Sequence, residues 1–223
     1  MCKKFILTWK KKIIIIGRSQ KFIKIIKKLY IHDEISILAW RKLDKPNKYR
    51  SHKNPNIIFV CGYDYNSHWY DYTKYYKTNI SSPLKFINST CNKNTFLFYI
   101  DTVSKLKKKT NAKRLILSRY VFAKKKLRNG LIKKFDKIKI IELPPLIDDN
   151  LEVSIFGGKF TRVIFKFLIT IKIVNSIKLQ SISNKFLIKN NFNKRYKLHS
   201  EHSFMLNIPR PLFIDRLLRI ISS

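Results

Sequence analysis

The residues best suited to proton or metal chemistry are five histidines: His32, His52, His68, His199 and His202. None sits in a metal-ligand pattern. The run HSEH (199–202) lacks both the four-residue helical spacing and a third ligand. Asp148 and Asp149 could act as a carboxylate pair, but they follow Pro144 and Pro145 closely and read as a turn and helix N-cap. The run FGGKF (156–160) has the glycines and lysine of a phosphate loop. It lacks the outer glycine and the Ser or Thr that would hold a metal, so it reads as a tight turn. Cys2, Cys61 and Cys91 are odd in number and lack metal-ligand spacing, implying neither a disulfide framework nor a zinc site. No catalytic, cofactor-binding or metal residue is expected, and no enzyme.

Basic residues dominate instead. Lys107, Lys108, Lys109, Lys113 and Arg114 form one cluster; Lys124, Lys125, Lys126, Arg128, Lys133 and Lys134 form another. Contacts from such residues to phosphates give affinity with little sequence readout. Trp69, Tyr70, Tyr72, Tyr75 and Tyr76 lie among basic residues and suit either stacking on unpaired bases or packing against the next element.

The formal net charge is +35 over 223 residues, from 48 Lys and Arg against 13 Asp and Glu. Self-repulsion at that charge opposes a compact state and all but rules out a free-standing metabolic enzyme. A polyanion is the expected partner, nucleic acid before an anionic membrane surface. The apolar fraction, 45%, suffices for a core. No window offers the ~18 apolar residues of a membrane-spanning helix, so stable membrane insertion is not expected. With 34 Ile and 37 Lys, the composition points to a very A/T-rich genome such as an organelle's.

The elements that must position these residues follow from periodicity. Ile13–Ile16 reads as a short buried strand, and Phe22, Ile25, Ile26 and Leu29 mark an amphipathic helix. Both fall in a retained basic extension, residues 1–52. Residues 44–56 read as a linker. Residues 95–110 look helical, 114–122 strand-like, 123–135 a basic helix and 137–143 an alternating strand. Residues 153–174 fit helix or strand equally, 176–183 are strand-like, and the tail from Pro209 should hold a short helix.

Four stretches resemble, in order, small-subunit ribosomal protein number three, the KH-domain protein of the small-subunit head, in its organellar form. They are KNPNIIFVCG (53–62), NSHWYDYTKYYK (66–77), residues 100–151, and SIKLQSISNKFL (176–187) with KRYKLHS (194–200). The Gly-x-x-Gly loop with which a KH domain clamps single strands is missing. The resemblance implies an α+β chain of two small α/β domains: a degenerate KH-like domain within 53–174, and a C-terminal mixed α/β domain within 175–223. It implies a structural role in a mitochondrial small ribosomal subunit, with an organelle-encoded gene. The partners would be small-subunit rRNA, neighbouring head proteins, and mRNA where it enters the subunit. No cofactor is implied. The RNA-binding residues would be Lys53, Trp69, Lys107, Lys108, Lys109, Arg119, Lys124, Lys125, Lys126, Arg128, Lys185, Arg195 and Lys197. Rival readings are the protein number nineteen family, a basic peripheral membrane protein, and a degenerate RNA-processing enzyme.

Overall fold

The computed structural model describes residues 10–17, 20–44, 52–102, 116–143, 146–147, 163, 167, 170, 177–178 and 195–197. The first strand, β1 (Lys12–Ile16), carries four consecutive isoleucines, all fully buried. An uninterrupted apolar run of this kind belongs in a parallel sheet covered on both faces. Fully burying one such side chain contributes about 1.5–3 kcal/mol.

Helix α1 (Gln20–Leu29) returns the chain to β2 (Glu34–Leu38), which pairs parallel to β1. The chain then crosses to the other side of β1. There β3 (Ile57–Val60) pairs with β1, followed outward by β4 (Phe96–Thr102), β5 (Ile138–Leu143) and the short β8 (Arg195–Lys197). All pairings are parallel, and the strand order is β2-β1-β3-β4-β5-β8. Two further short strands, β6 (Leu146–Ile147) and β7 (Ile177–Lys178), pair with each other.

Alternation along each strand sorts the core into two layers. Ile13, Ile15, Phe59 and Phe98 face α1 through Phe22, Ile23 and Ile26. Ile14, Ile16, Val60 and Tyr99 face α3 (Ser82–Thr90) and α4 (Ile116–Ile132) through Phe86, Ile87, Leu127 and Leu131. Helices therefore cover both faces of an open parallel sheet. Between β3 and α3 lie a 3-10 turn (Tyr65–Trp69), a short helix α2 (Tyr72–Tyr76) and a π turn (Lys77–Ser81). Asp71 starts α2 by accepting a hydrogen bond from the Lys74 amide at 2.9 Å.

This architecture overturns the expected α+β pair of small domains with a degenerate KH-like unit. Residues 95–110, expected as a helix, open with the central strand β4; FLFYIDT is apolar because both its faces are covered. Residues 114–122, expected as a strand, are described from Ile116 onward as the first turns of α4. Ala123, Leu127 and Leu131 continue that helix with buried positions four apart. The basic stretch expected as an extension supplies β1, α1 and β2. The Ile13–Ile16 strand, the helix around Phe22–Leu29, the basic helix and the strand near 137–143 agree with the sequence reading. Val163, Phe167 and Thr170 are helical. The FGGKF turn, the Asp148–Asp149 cap and the tail helix lie outside the described residues.

Candidate functional site

In an open parallel sheet, ligands bind outside the carboxyl ends of the strands, where the chain changes direction across the sheet. Here that switch falls between β1 and β3. Gly17 follows β1 with φ 137°, and a Cβ on it would stand 3.1 Å from the backbone of Cys61 and Gly62, beyond β3. The two strand ends thus touch through glycine. Trp40, just after β2, reaches over them. A Cβ on Gly62 would come within 2.1 Å of the Trp40 ring. The indole is 6% exposed and packs with Ile16, Leu38, Leu43 and Val60.

Helix α4 brings side chains to the neighbouring ends of β3 and β4. The Lys124 ammonium donates to the Ile100 carbonyl at 2.9 Å, and the Tyr99 hydroxyl donates to the Lys124 carbonyl at 2.9 Å. Burial lowers the Lys124 pKa, against the opposing pull of Asp101 and Cys61. Burial also pushes the Cys61 thiol up to about 12, and the charge of Lys124 offsets only part of this. Arg128, one turn further along α4, ties Asp101 at the end of β4 to Glu142 at the end of β5, at 2.9 and 3.1 Å.

Tyr120 precedes Lys124 by one helical turn and lies in an aromatic pocket. Its ring stacks on Tyr65 at 5.8 Å and meets Tyr63 edge-on at 4.8 Å. Its hydroxyl hydrogen-bonds with that of Tyr65. Burial, followed by the neighbouring Tyr65, raises its pKa well above the usual range. Tyr120 is therefore a neutral hydroxyl, able to donate a hydrogen bond but not readily a proton.

Arg41 clasps Asp64 through two nitrogens, each 2.7 Å from Oδ1. Asn79 in turn accepts the Asp64 amide at 2.9 Å. Outside this clasp lies a groove of about 440 Å³ whose lining includes Trp40, Arg41, Thr73, Lys74, Lys77 and Ser82. Among the described residues no cluster of ligating side chains could hold a metal. No described helix is long and apolar enough to cross a membrane.

The residues expected to bind RNA are scattered. Lys53, Lys125 and Lys126 are exposed, and Trp69 is 71% exposed. Arg119, Lys124 and Arg128 are turned inward. The Arg119 guanidinium donates to the carbonyls of Ser67, His68 and Tyr70 at 3.2, 3.0 and 2.6 Å. Arg195 and Lys197 lie on β8 at the sheet edge. Lys107, Lys108, Lys109 and Lys185 lie outside the described residues. The sequence reading passed over Tyr120, Trp40 and Gly17. The available signal was a tyrosine and a lysine four apart, directly before a basic helix.

No protein-family model matches the chain, and no curated protein matches it. Solved structures do. The crystal structure of gox2253 aligns with TM-score 0.59 at 11% identity, covering 96% of this chain and 74% of that one. The dTDP-4-dehydrorhamnose reductase of Bacillus anthracis, in complex with NADP, aligns with TM-score 0.57 at 13% identity, covering 86% and 75%. The UDP-glucose 4-epimerase of Thermotoga maritima, with UDP-glucose, aligns with TM-score 0.53 at 10% identity, covering 83% and 76%.

The fold is of the Rossmann type.

At such identities the likeness is one of fold. The chain spans between 57% and 76% of the length of the structures it resembles. A Rossmann-type sheet replaces the KH-like architecture on which the ribosomal resemblance rested. The structural role in a mitochondrial ribosome falls with it, as do the number nineteen alternative, the rRNA, mRNA and head-protein partners, and the link to translation. The solved structures of similar fold include nucleotide-sugar enzymes, among them complexes with NADP and NAD.

The fold group's dinucleotide does not fit the residues present. Its pyrophosphate rests on a glycine-rich turn after the first strand, where missing side chains let the backbone approach. Here Gly17 is followed by Arg18, Ser19, Gln20, Lys21 and Phe22, with no further glycine before Gly62. Phe22 is buried under α1 rather than leaving room there. Where an acid would hold the ribose hydroxyls, Arg41 and Lys42 follow β2. Arginine suits a 2′-phosphate, but Arg41 is engaged by Asp64.

Proposed function

We propose that the chain is an enzyme acting on a phosphate-bearing, nucleotide-linked carbohydrate at the carboxyl ends of β3 and β4. Tyr120 carries the reading. It offers a hydroxyl kept protonated by burial, beside the strand ends, with a buried ammonium one turn below. In this reading Tyr120 donates a hydrogen bond to an oxygen on which negative charge develops. Loss of one such donor typically costs about 10²–10³ in rate. Lys124 is a positioning residue: through the Ile100 carbonyl it fixes α4 against the end of β4.

Two observations support the substrate class. Several fold neighbours are enzymes of dTDP- and UDP-linked sugars. The net charge of +35 favours capture of anionic ligands through long-range attraction.

The test is a panel of UDP-, dTDP- and GDP-linked sugars incubated with the pure chain, with products followed by mass spectrometry and binding by thermal shift. Conversion of one class, together with a rise in melting temperature, is expected. A panel that produces neither would overturn the reading.

A further inference from the structure

We propose that Trp40 is a built-in occupant of the nucleotide crevice, and that its indole excludes the dinucleotide which this topology otherwise accepts. The inference concerns the same sheet end as the proposed function but rests on a different set of atoms.

The placement follows from strand order. Trp40 leaves the carboxyl end of β2, and Gly62 lies beyond the carboxyl end of β3. Since β1 lies between those strands, a ring that reaches from one to the other spans the end of β1. That is the switch point, the place where a dinucleotide's phosphates must approach the backbone. The ring atoms nearest Gly62 are Cε3, Cδ2 and Cζ3, so the benzo edge of the indole is driven into the crevice. Gly62 is what admits it, because any side chain there would collide with the ring. The pyrrole edge lies opposite, and its Nε1 is buried with no hydrogen-bond partner among the described residues. An unsatisfied buried donor costs about 1–3 kcal/mol. The ring is held there by its packing, not by its N–H.

The test is titration of the full chain with NADH and NADPH up to about 1 mM, read by energy transfer from protein tryptophan to the reduced nicotinamide and by calorimetry. Trp40→Ala and the milder Trp40→Leu are titrated beside wild type, with circular dichroism to confirm folding. Because the three-tryptophan signal changes in these variants, calorimetry decides. The expected result is no saturable binding to wild type, and at least a tenfold gain in affinity in whichever folded variant opens the crevice. Tight binding by wild type would overturn the proposal. Absence of binding in wild type and in a folded variant alike would also overturn it. Neither outcome depends on turnover of a nucleotide sugar, so failure here is distinguishable from failure of the proposed function.

Discussion

Arg128 reaches Asp101 at 2.9 Å, and both side chains are largely withdrawn from water, 18% and 4% exposed. The same nitrogen is shared with Glu142 at 3.1 Å. One cation on α4 thus binds the ends of two adjacent strands beside the candidate site.

Removing that cation deprives two buried carboxylates of the guanidinium they share. Arg128→Met is expected to cost about 3–5 kcal/mol, as breaking a buried ion pair does. Adding Asp101→Asn and Glu142→Gln to Arg128→Met should recover most of the loss. Urea denaturation of the three proteins checks both expectations.

The backbone at Gly17 predicts a second cost. At φ 137° a side chain is strained, and its Cβ would press on the Cys61–Gly62 backbone beyond β3 at 3.1 Å. Gly17→Ala should lower stability by about 1–3 kcal/mol, seen as a fall in melting temperature. Gly62→Ala should do the same by displacing the Trp40 ring, with a change in tryptophan emission that Gly17→Ala does not produce.

These predictions concern residues that sequence reading undervalued, and the reasons are physical. Ile13–Ile16 and the Phe22–Leu29 stripe were legible because a fully buried strand and an amphipathic helix each leave a local pattern. The central strand FLFYIDT was not, since burial on both faces erases the two-residue alternation that separates strand from buried helix. The first turns of α4 misled in the opposite way: RLILSRYVF is rich in apolar and aromatic side chains that suit a strand, yet the turns from Ile116 extend a helix fixed by Ala123, Leu127 and Leu131. Lysine content concealed the rest. Arg119, Lys124 and Arg128 looked like members of a phosphate-facing surface, and three-dimensional packing turns them inward. The Trp40–Gly62 contact joins residues 22 positions apart through strand order alone, which no local pattern encodes.

Alkaline stability provides a third expectation. Burial pushes both Cys61 and Cys91 up to about 12 from an ordinary value of 9.0. Between those values the unfolded chain has lost the thiol protons that the folded chain keeps. Stability should therefore be full below pH 9 and fall as pH rises towards 12. Each unit of that window is worth about 1.4 kcal/mol per group. Cys61→Ala and Cys91→Ala should flatten the decline, as measured by chemical denaturation across that range.

The pH dependence of turnover separates a hydrogen-bond donor from a phenolate base. Tyr120 is held protonated. Activity should therefore not climb between pH 7 and pH 9 as it would if ionised tyrosine were the working form. A rate that rises about tenfold per pH unit in that interval would assign Tyr120 the opposite role.

The most direct measurement is single-turnover conversion of the nucleotide-linked sugar found by the panel, comparing wild type with Tyr120→Phe. The change removes one oxygen and leaves the ring in its place against Tyr63 and Tyr65. The account predicts a rate at least about 100-fold lower, with binding of the sugar nucleotide unchanged by calorimetry. An unchanged rate in Tyr120→Phe would contradict it.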